Sequence, residues 1–488
     1  MLIGFVIAYL LVSIGVGLYA ATRVRNTADY VAAGRHLPLY IVTATVFATW
    51  FGSETVLGIS ATFIDEGLRG LWSDPFGASL CLILVGLFFA RPLYRMNLLT
   101  LGDYYRLRYG RTVEVLCSIA IVVSYLGWVA AQITALGLVF NILSDGAITN
   151  EAGMMIGATV VLGYTLFGGM WSVALTDFMQ MIVIIAGLFY IAWLVGDMAG
   201  GIGTVVGHAN AAGKLNFLPA LDPVDIIAFL AGILTMGFGS IPQQDVFQRL
   251  NSARDEKTAV RGTLLGGSGY FFFAFVPLFI AYSATLIDPE LVARHQQSDS
   301  QHVLPQLILA HTPLFAQVMF FGALLSAIMS TASGTLLAPS VTFSENILRG
   351  TFRRLDDRQF LLLTRIVVVA FALLITWYAT HTEETIHGMV ENAYKVTLAT
   401  AFVPLAFGLY WKRASTQGAL GSILAGLVVW VLLEIAAPDA DVPPHFAGML
   451  AGIVGMIAGS LLPQTLVKPV HGHVAAHLQT QHQPHAGR

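Results

Sequence analysis

Thr45-Val-Phe-Ala-Thr-Trp50-Phe-Gly-Ser-Glu54-Thr55 lies in the middle of an apolar run over residues 37–64. The run is long enough to cross a bilayer, which takes about 20 mostly apolar residues. Gly52 and Ser53 nevertheless weaken a helix at its centre, and Glu54 places a carboxylate deep within it. In lipid, a helix interruption survives only where it is buried in protein or lines a cavity. A second interruption, Met236-Gly-Phe-Gly-Ser240-Ile-Pro242, ends the apolar run 223–240. Proline cannot donate to the helical ladder and glycine is entropically costly within it. Taken singly, each break reads more readily as a simple bend or a helix end.

The rest of the chain gives these breaks their setting. Of 488 residues, 56% are hydrophobic and only 11% charged, against roughly 25% charged in a soluble domain. Mean hydropathy is +0.74. So few charges cannot cover a soluble surface of this size, and a net charge of −3 leaves no basic footprint for nucleic acid. Cys81 and Cys117 sit in apolar runs, so no disulfide framework is implied. The chain reads as an all-α polytopic membrane protein.

Thirteen transmembrane helices are expected, over about 2–21, 37–64, 72–90, 113–143, 152–169, 177–195, 223–240, 262–284, 313–341, 360–379, 393–411, 417–435 and 446–462. The first lacks a charged leader and is followed by Arg23 and Arg25, which reads as an uncleaved span and not a signal peptide. With the N-terminus outside, alternate loops collect nearly all the basic residues, among them Arg91, Arg95, Arg249, Arg254, Arg349, Arg353 and Lys412. The other side holds only Arg69, Lys214 and Arg294, as the positive-inside rule requires for a cytoplasmic C-terminus. Residues 1–467 are expected to form a single transmembrane transporter domain, and 468–488 a His-rich, flexible cytoplasmic tail.

Helices 2–6 and 7–11 form two groups of five, each opening with an interrupted helix. Five is odd, so the second group is inverted relative to the first, giving a 5+5 inverted repeat over about 37–195 and 223–411. Matched interruptions in inverted halves point to a transporter binding site near the bilayer midplane. A polar cluster in the ninth span, Ser326-Ala-Ile-Met-Ser330-Thr331-Ala-Ser333-Gly334-Thr335, is read two ways. Its hydroxyls either bond back to their own helix or, with carbonyl oxygens, replace water around a hard cation such as sodium.

Asp225, Glu345, Glu391, Lys395 and Glu434 are also ionisable residues within expected spans, with Glu391 and Lys395 placed to neutralise each other at i, i+4. Gly448, Gly452, Gly455 and Gly459 offer close helix packing within the chain or in a dimer. Histidines 471, 473, 477, 482 and 485 have no fixed ligand spacing.

Four stretches carry a family resemblance: Ala48-Thr-Trp-Phe-Gly-Ser-Glu54, Gly168-Gly-Met-Trp-Ser-Val-Ala-Leu-Thr-Asp177 with Gln180, Phe247-Gln-Arg249, and Ser326-Ala-Ile-Met-Ser-Thr331. The chain resembles the solute:sodium symporter family, with its leucine-transporter fold, and around helices 2–5 is similar to high-affinity choline transporters. The resemblance implies a sodium site built from backbone oxygens of Ala48, Phe51 and Ala327 and hydroxyls of Ser330 and Thr331. It places a second sodium or a sodium exit at Asp177 and Ser333, although Gly334 lacks the hydroxyl some members use. Asp177 reads alternatively as an N-terminal helix cap. The implied solute site is lined near Thr49, Trp50, Thr55, Asp74, Phe76, Trp128 and Gln243, with Glu54 a coupling candidate. Trp50 and Trp128 match cage aromatics of choline transporters, whereas Gln243 and Val390 stand where further cage residues are expected.

The implied activity is sodium-coupled symport of a small organic solute by alternating access, with no catalytic residues and no enzyme chemistry. A proton-coupled carrier using Glu54 or Asp177, and a transporter-like sensor acting with a separate partner, are the alternatives. The compact loops suggest a multi-pass protein of the cell membrane, by analogy the bacterial inner membrane, with solute and lipid bilayer as partners.

Overall fold

The computed structural model describes residues 2–297, 299–350, 352, 355–438 and 440–466. The His-rich tail over 468–488 lies outside the described residues. Helices make up the regular structure, and among the described residues one isolated bridge, Leu37 to Ala253, is the only strand-type pairing. Among the described residues, ten helices are long and apolar enough to cross a membrane, or eleven if the bent pair Pro223–Gly239 and Gln244–Asn251 is one span.

Polarity is distributed for lipid. Phe5, Leu11, Tyr19, Trp193, Phe272, Leu373 and Ile435 are exposed, while Glu54, Asp74, Asp177, Asp245 and Arg249 are buried. Because lipid tails are as apolar as leucine, such helices associate through close packing and interhelical hydrogen bonds. Gly187 lets its helix approach the Met319 carbonyl so closely that a Cβ there would stand 2.8 Å from it. Tyr164 donates to the Met329 carbonyl at 2.9 Å, tying the same two helices together.

Several boundaries depart from the sequence reading. Asn150–Met198 is one long helix broken at a single residue, Gly169 (φ 49°, ψ −137°), and not over 170–176. Its backbone passes the Tyr30 carbonyl with no room for a side chain, so only glycine serves. The seventh run continues past its break as Gln244–Asn251, bent by 50° from Pro223–Gly239, so the break lies inside the element and not at its end. Asp225 lies in the exposed first turn after the Asp222 cap and accepts from Ala220 N–H at 3.1 Å. It is therefore a terminal residue and not an intramembrane charge.

The glycines of Pro444–Leu461 are used within the chain: Gly448 and Gly459 pack on the Gly426 and Gln417 carbonyls of Thr416–Ala436. Glu391 and Lys395 form the expected pair at 3.7 Å.

Candidate functional site

Leu39–Trp50 stops as a helix where Phe51 turns its peptide out of the ladder (φ −78°, ψ 76°). Helical structure resumes at Glu54 in wide, π-type turns. The buried face of Leu314–Thr342 lies opposite. Thr331 Oγ1 donates across to the Ala48 carbonyl at 3.2 Å. Ser330 Oγ donates to the Ala327 carbonyl at 2.9 Å, a bond back along its own helix. Thus one hydroxyl of the pair spans the two elements and the other holds a carbonyl of the same expected set. Gly52 is required for this approach, since a Cβ there would stand 2.6 Å from Thr331 Oγ1 and 2.7 Å from Glu54 Oε2. Ser330 and Thr331 are fully buried, away from lipid.

Beyond the break lies a buried cluster of polar and aromatic side chains. Glu54 is fully buried and accepts from Gln132 Nε2 at 2.7 Å and Trp128 Nε1 at 3.3 Å. Gln132 Oε1 in return accepts the Ser53 N–H at 3.0 Å, tethering the unwound segment to Arg111–Leu143. Thr55 donates to the Trp50 carbonyl at 2.8 Å and lies 3.0 Å from Tyr270 Oη. The Tyr270 hydroxyl donates to buried Asp74. Trp50 and Trp128 stack with centroids 5.0 Å apart, and Tyr394 packs edge-on against both at 5.5 Å. Tyr125 stacks on the far side of Trp128 at 5.7 Å. Three buried atoms here, Trp50 Nε1, Asp74 Oδ2 and Tyr394 Oη, have no hydrogen-bond partner among the described residues. Unpaired buried polar atoms are costly, so a ligand or water that satisfies them is favoured.

The remaining expected solute residues are placed elsewhere. Phe76 belongs to a separate aromatic cluster, 4.3 Å from Phe217 and 5.6 Å from Phe271. Of the two residues expected from that segment, Asp74 alone joins this cluster, because extended backbone at Asp74 (φ −137°, ψ 126°) turns the two side chains apart. Thr49 spends its hydroxyl on the Thr45 carbonyl at 3.0 Å. Gln243 is buried between Ser124 Oγ at 3.0 Å and Thr397 Oγ1 at 3.4 Å, a bracket at the second break.

Asp177 is no cap. It lies within the helix, eight positions past Gly169, fully buried, and neither oxygen accepts a hydrogen bond from a described residue. Its neighbour is Arg249 Nη2 at 3.7 Å. Ser333 donates back to the Ser330 carbonyl at 3.0 Å.

Sequence reasoning missed Tyr125, Gln132, Tyr270 and Tyr394. Gln132 and Tyr394 each follow a named position, Trp128 and Val390, by one helical turn, a signal that was available. Tyr270 carried none, since its role depends on which helix faces Asp74. One further cavity, of about 690 Å³, opens beside Gly58 and is lined by Asp65, Glu66, Asp299, Glu383, Glu384 and Glu391 among others. It begins one turn beyond Thr55.

The family model described as "Sodium:solute symporter family" matches residues 30–426. The chain belongs to the sodium:solute symporter family, a class of membrane transporters and not of enzymes. It is 28% identical over 442 residues to the high affinity choline transporter 1 of Homo sapiens, covering 87% of this chain and 75% of that one. It is 26% identical over 462 residues to the high-affinity proline transporter PutP of Bacillus subtilis, covering 90% and 94%. Among solved structures it is similar to a Na+-coupled sialic acid symporter in a substrate-bound outward-open state, with TM-score 0.78 at 19% identity, covering 96% and 99%. At that identity the likeness establishes the fold alone, which is leucine-transporter-like.

Proposed function

We propose that this protein is a sodium-coupled symporter importing a small organic solute that carries a cationic nitrogen. The observation that carries the sodium assignment is the Thr331 hydroxyl on the Ala48 carbonyl, across a helix break too tight for any side chain at position 52. Small rearrangement of those oxygens, with Ser330, Ala327 and Phe51, offers neutral ligands of the kind hard cations take. Sodium binding there would draw the two helices together and raise solute affinity by a coupling free energy, typically about 1–3 kcal/mol, with the reciprocal effect on sodium.

The cationic nitrogen is argued from charge. Glu54 and Asp74 are buried, and their hydrogen-bond partners are amide, indole and phenol groups with no basic side chain among them. A buried carboxylate without a counter-charge is costly. Indole and phenol rings beside these carboxylates add a cation–π contribution of about 0.5–2 kcal/mol. Choline and proline, named in the two relatives, share a positively charged nitrogen. Asp177 and Ser333 are assigned to the inner path by which sodium leaves.

The same reading takes thirteen spans, by dividing Asn150–Met198 at Gly169 and separating Ile59–Glu66 from the helices that begin at Trp72. The repeats run over 37–195 and 223–411 within a single transporter domain. The N-terminus is outside and the arginine-rich loops are cytoplasmic, in the cell membrane. The acidic cavity beside Gly58 then faces outward and concentrates cations ahead of the Glu54–Asp74 cluster.

The test is uptake into proteoliposomes of a panel holding quaternary and secondary ammonium compounds, sugars and carboxylates, with an inward sodium gradient, a proton gradient or neither. Sodium-driven uptake of an ammonium compound is the expected result. The buried pair Glu54 and Asp74 favours one second reading, coupling to protons, and uptake driven by a pH gradient without sodium would select it.

A further inference from the structure

Glu256, Val260 and Leu264 recur at i, i+4 and i+8 along Glu256–Phe273 and so share one face of that helix. The face packs along residues 85–95. Leu264 seats on Gly86, where a Cβ would stand 2.6 Å from Leu264 Cδ2. One turn away, Val260 lines a cavity of about 490 Å³, together with Leu87, Phe88, Arg91, Arg95 and Tyr410. One turn further, the Glu256 carboxylate meets Arg91 Nε at 2.9 Å and Arg95 Nε at 2.7 Å. Tyr410 forms the opposite wall, held by its hydroxyl donating to the Phe88 carbonyl.

This groove is apolar at one end and cationic at the other. Leu87, Phe88 and Tyr410 are exposed around it. Arg91 lies one helical turn beyond Leu87 and Phe88, and Arg95 one turn beyond Arg91. Two guanidiniums against one carboxylate leave an excess positive charge. Lys257, Arg261, Lys412 and Arg413 are exposed on the adjoining segments and add to it, while Arg254 and Asp255 offset each other at 3.3 Å. Glu256 engages Arg91 through Nε and Arg95 through Nε and Nη2. A guanidinium has five donors, so the others are left for a phosphate, which arginine binds well. A soluble anion would use the guanidiniums and not the apolar walls, and an uncharged lipid only the walls. An anionic phospholipid uses both, in the order that the groove presents them.

We propose that this groove binds one anionic phospholipid, its phosphodiester on Arg91 and Arg95 and an acyl chain against Leu87, Phe88 and Tyr410. In the orientation proposed above, the site belongs to the cytoplasmic leaflet, where anionic lipids attract juxtamembrane basic groups.

The test is titration of the purified full-length protein in detergent with phosphatidylglycerol or phosphatidylcholine, read as lipid-bound species by native mass spectrometry. Sodium and solute are left out, so the outcome is independent of the symport reading. Phosphatidylglycerol should bind about 10-fold more tightly than phosphatidylcholine, and R91Q/R95Q should weaken it by about 10- to 30-fold. E256Q removes the competing carboxylate and should tighten it by about 5-fold. It keeps both arginines, so it reports even if the double variant fails to fold. R25Q/R358Q removes two exposed arginines outside the groove and should change binding by less than about 2-fold. Equal affinity for the two lipids would overturn the proposal, as would equal losses in R91Q/R95Q and R25Q/R358Q or no tightening in E256Q. Inorganic phosphate that displaces phosphatidylglycerol at matching concentration would also overturn it, by showing a site for a free anion.

Discussion

The two helix breaks look equivalent in sequence and differ in what surrounds them. At the first, Phe51–Ser53, the freed backbone faces a hydroxyl pair on a neighbouring helix, and one of those hydroxyls crosses to it. At the second, the Gly239 carbonyl already accepts the Thr397 hydroxyl at 2.6 Å, and Gln243 is bracketed by Ser124 and Thr397. At the first break the hydroxyl comes from a separate long helix and bonds the carbonyl just before the break, whereas at the second Gly239 and Gln243 are paired and Ser240 Oγ is left without a partner among the described residues. Two breaks that look alike in sequence can therefore differ in chemistry, because what matters at a break is which side chains of its neighbours reach the freed backbone.

The largest expected effect tests the first break. S330A/T331A removes two neutral oxygens at about 1.5 kcal/mol each, so the sodium concentration for half-maximal uptake should rise on the order of 100-fold. The matching change at the second break, T397A, should shift it by less than about 3-fold. Equal losses in the two variants would erase the distinction.

G52A comes next, because its Cβ lands 2.6 Å from Thr331 Oγ1. Overpacking of this kind costs about 1–3 kcal/mol, and sodium dependence should weaken by roughly tenfold while solute binding measured at saturating sodium changes less.

A smaller effect separates ion from solute. W128L should raise the solute KM by about 2- to 30-fold, the range of a lost cation–π contact, with the sodium dependence retained. A W128L protein that loses sodium dependence and solute affinity together would place the indole in the ion site instead. Least of all, Q243L should lower thermal stability by about 1 kcal/mol through its lost hydrogen bonds and leave the KM near its wild-type value. A large KM change in Q243L would return this residue to the solute site, where the family resemblance put it.

The sequence alone established a great deal here because membrane burial is written into composition. Apolar runs of span length, a one-sided distribution of arginines and two interrupted helices require no knowledge of neighbours, since each follows from the cost of leaving backbone or charge in hydrocarbon. The Ser330–Thr331 pair was legible for the same reason, as adjacent hydroxyls inside an apolar span.

Which side chains meet was decided only by the tertiary structure. Asp74 and Phe76 are two positions apart, yet one meets Tyr270 beside Glu54's cluster and the other joins an unrelated aromatic cluster. Asp177 read as a second-sodium ligand, a sodium exit or a helix cap, and the last of these falls away because it is a helix-interior carboxylate facing Arg249. Gly334 looked like a missing ligand and is also the space an arginine fills. Helical periodicity determines the direction of a side chain from its own axis, but the partner it reaches depends on the crossing of another helix, and that is set by packing across the whole bundle.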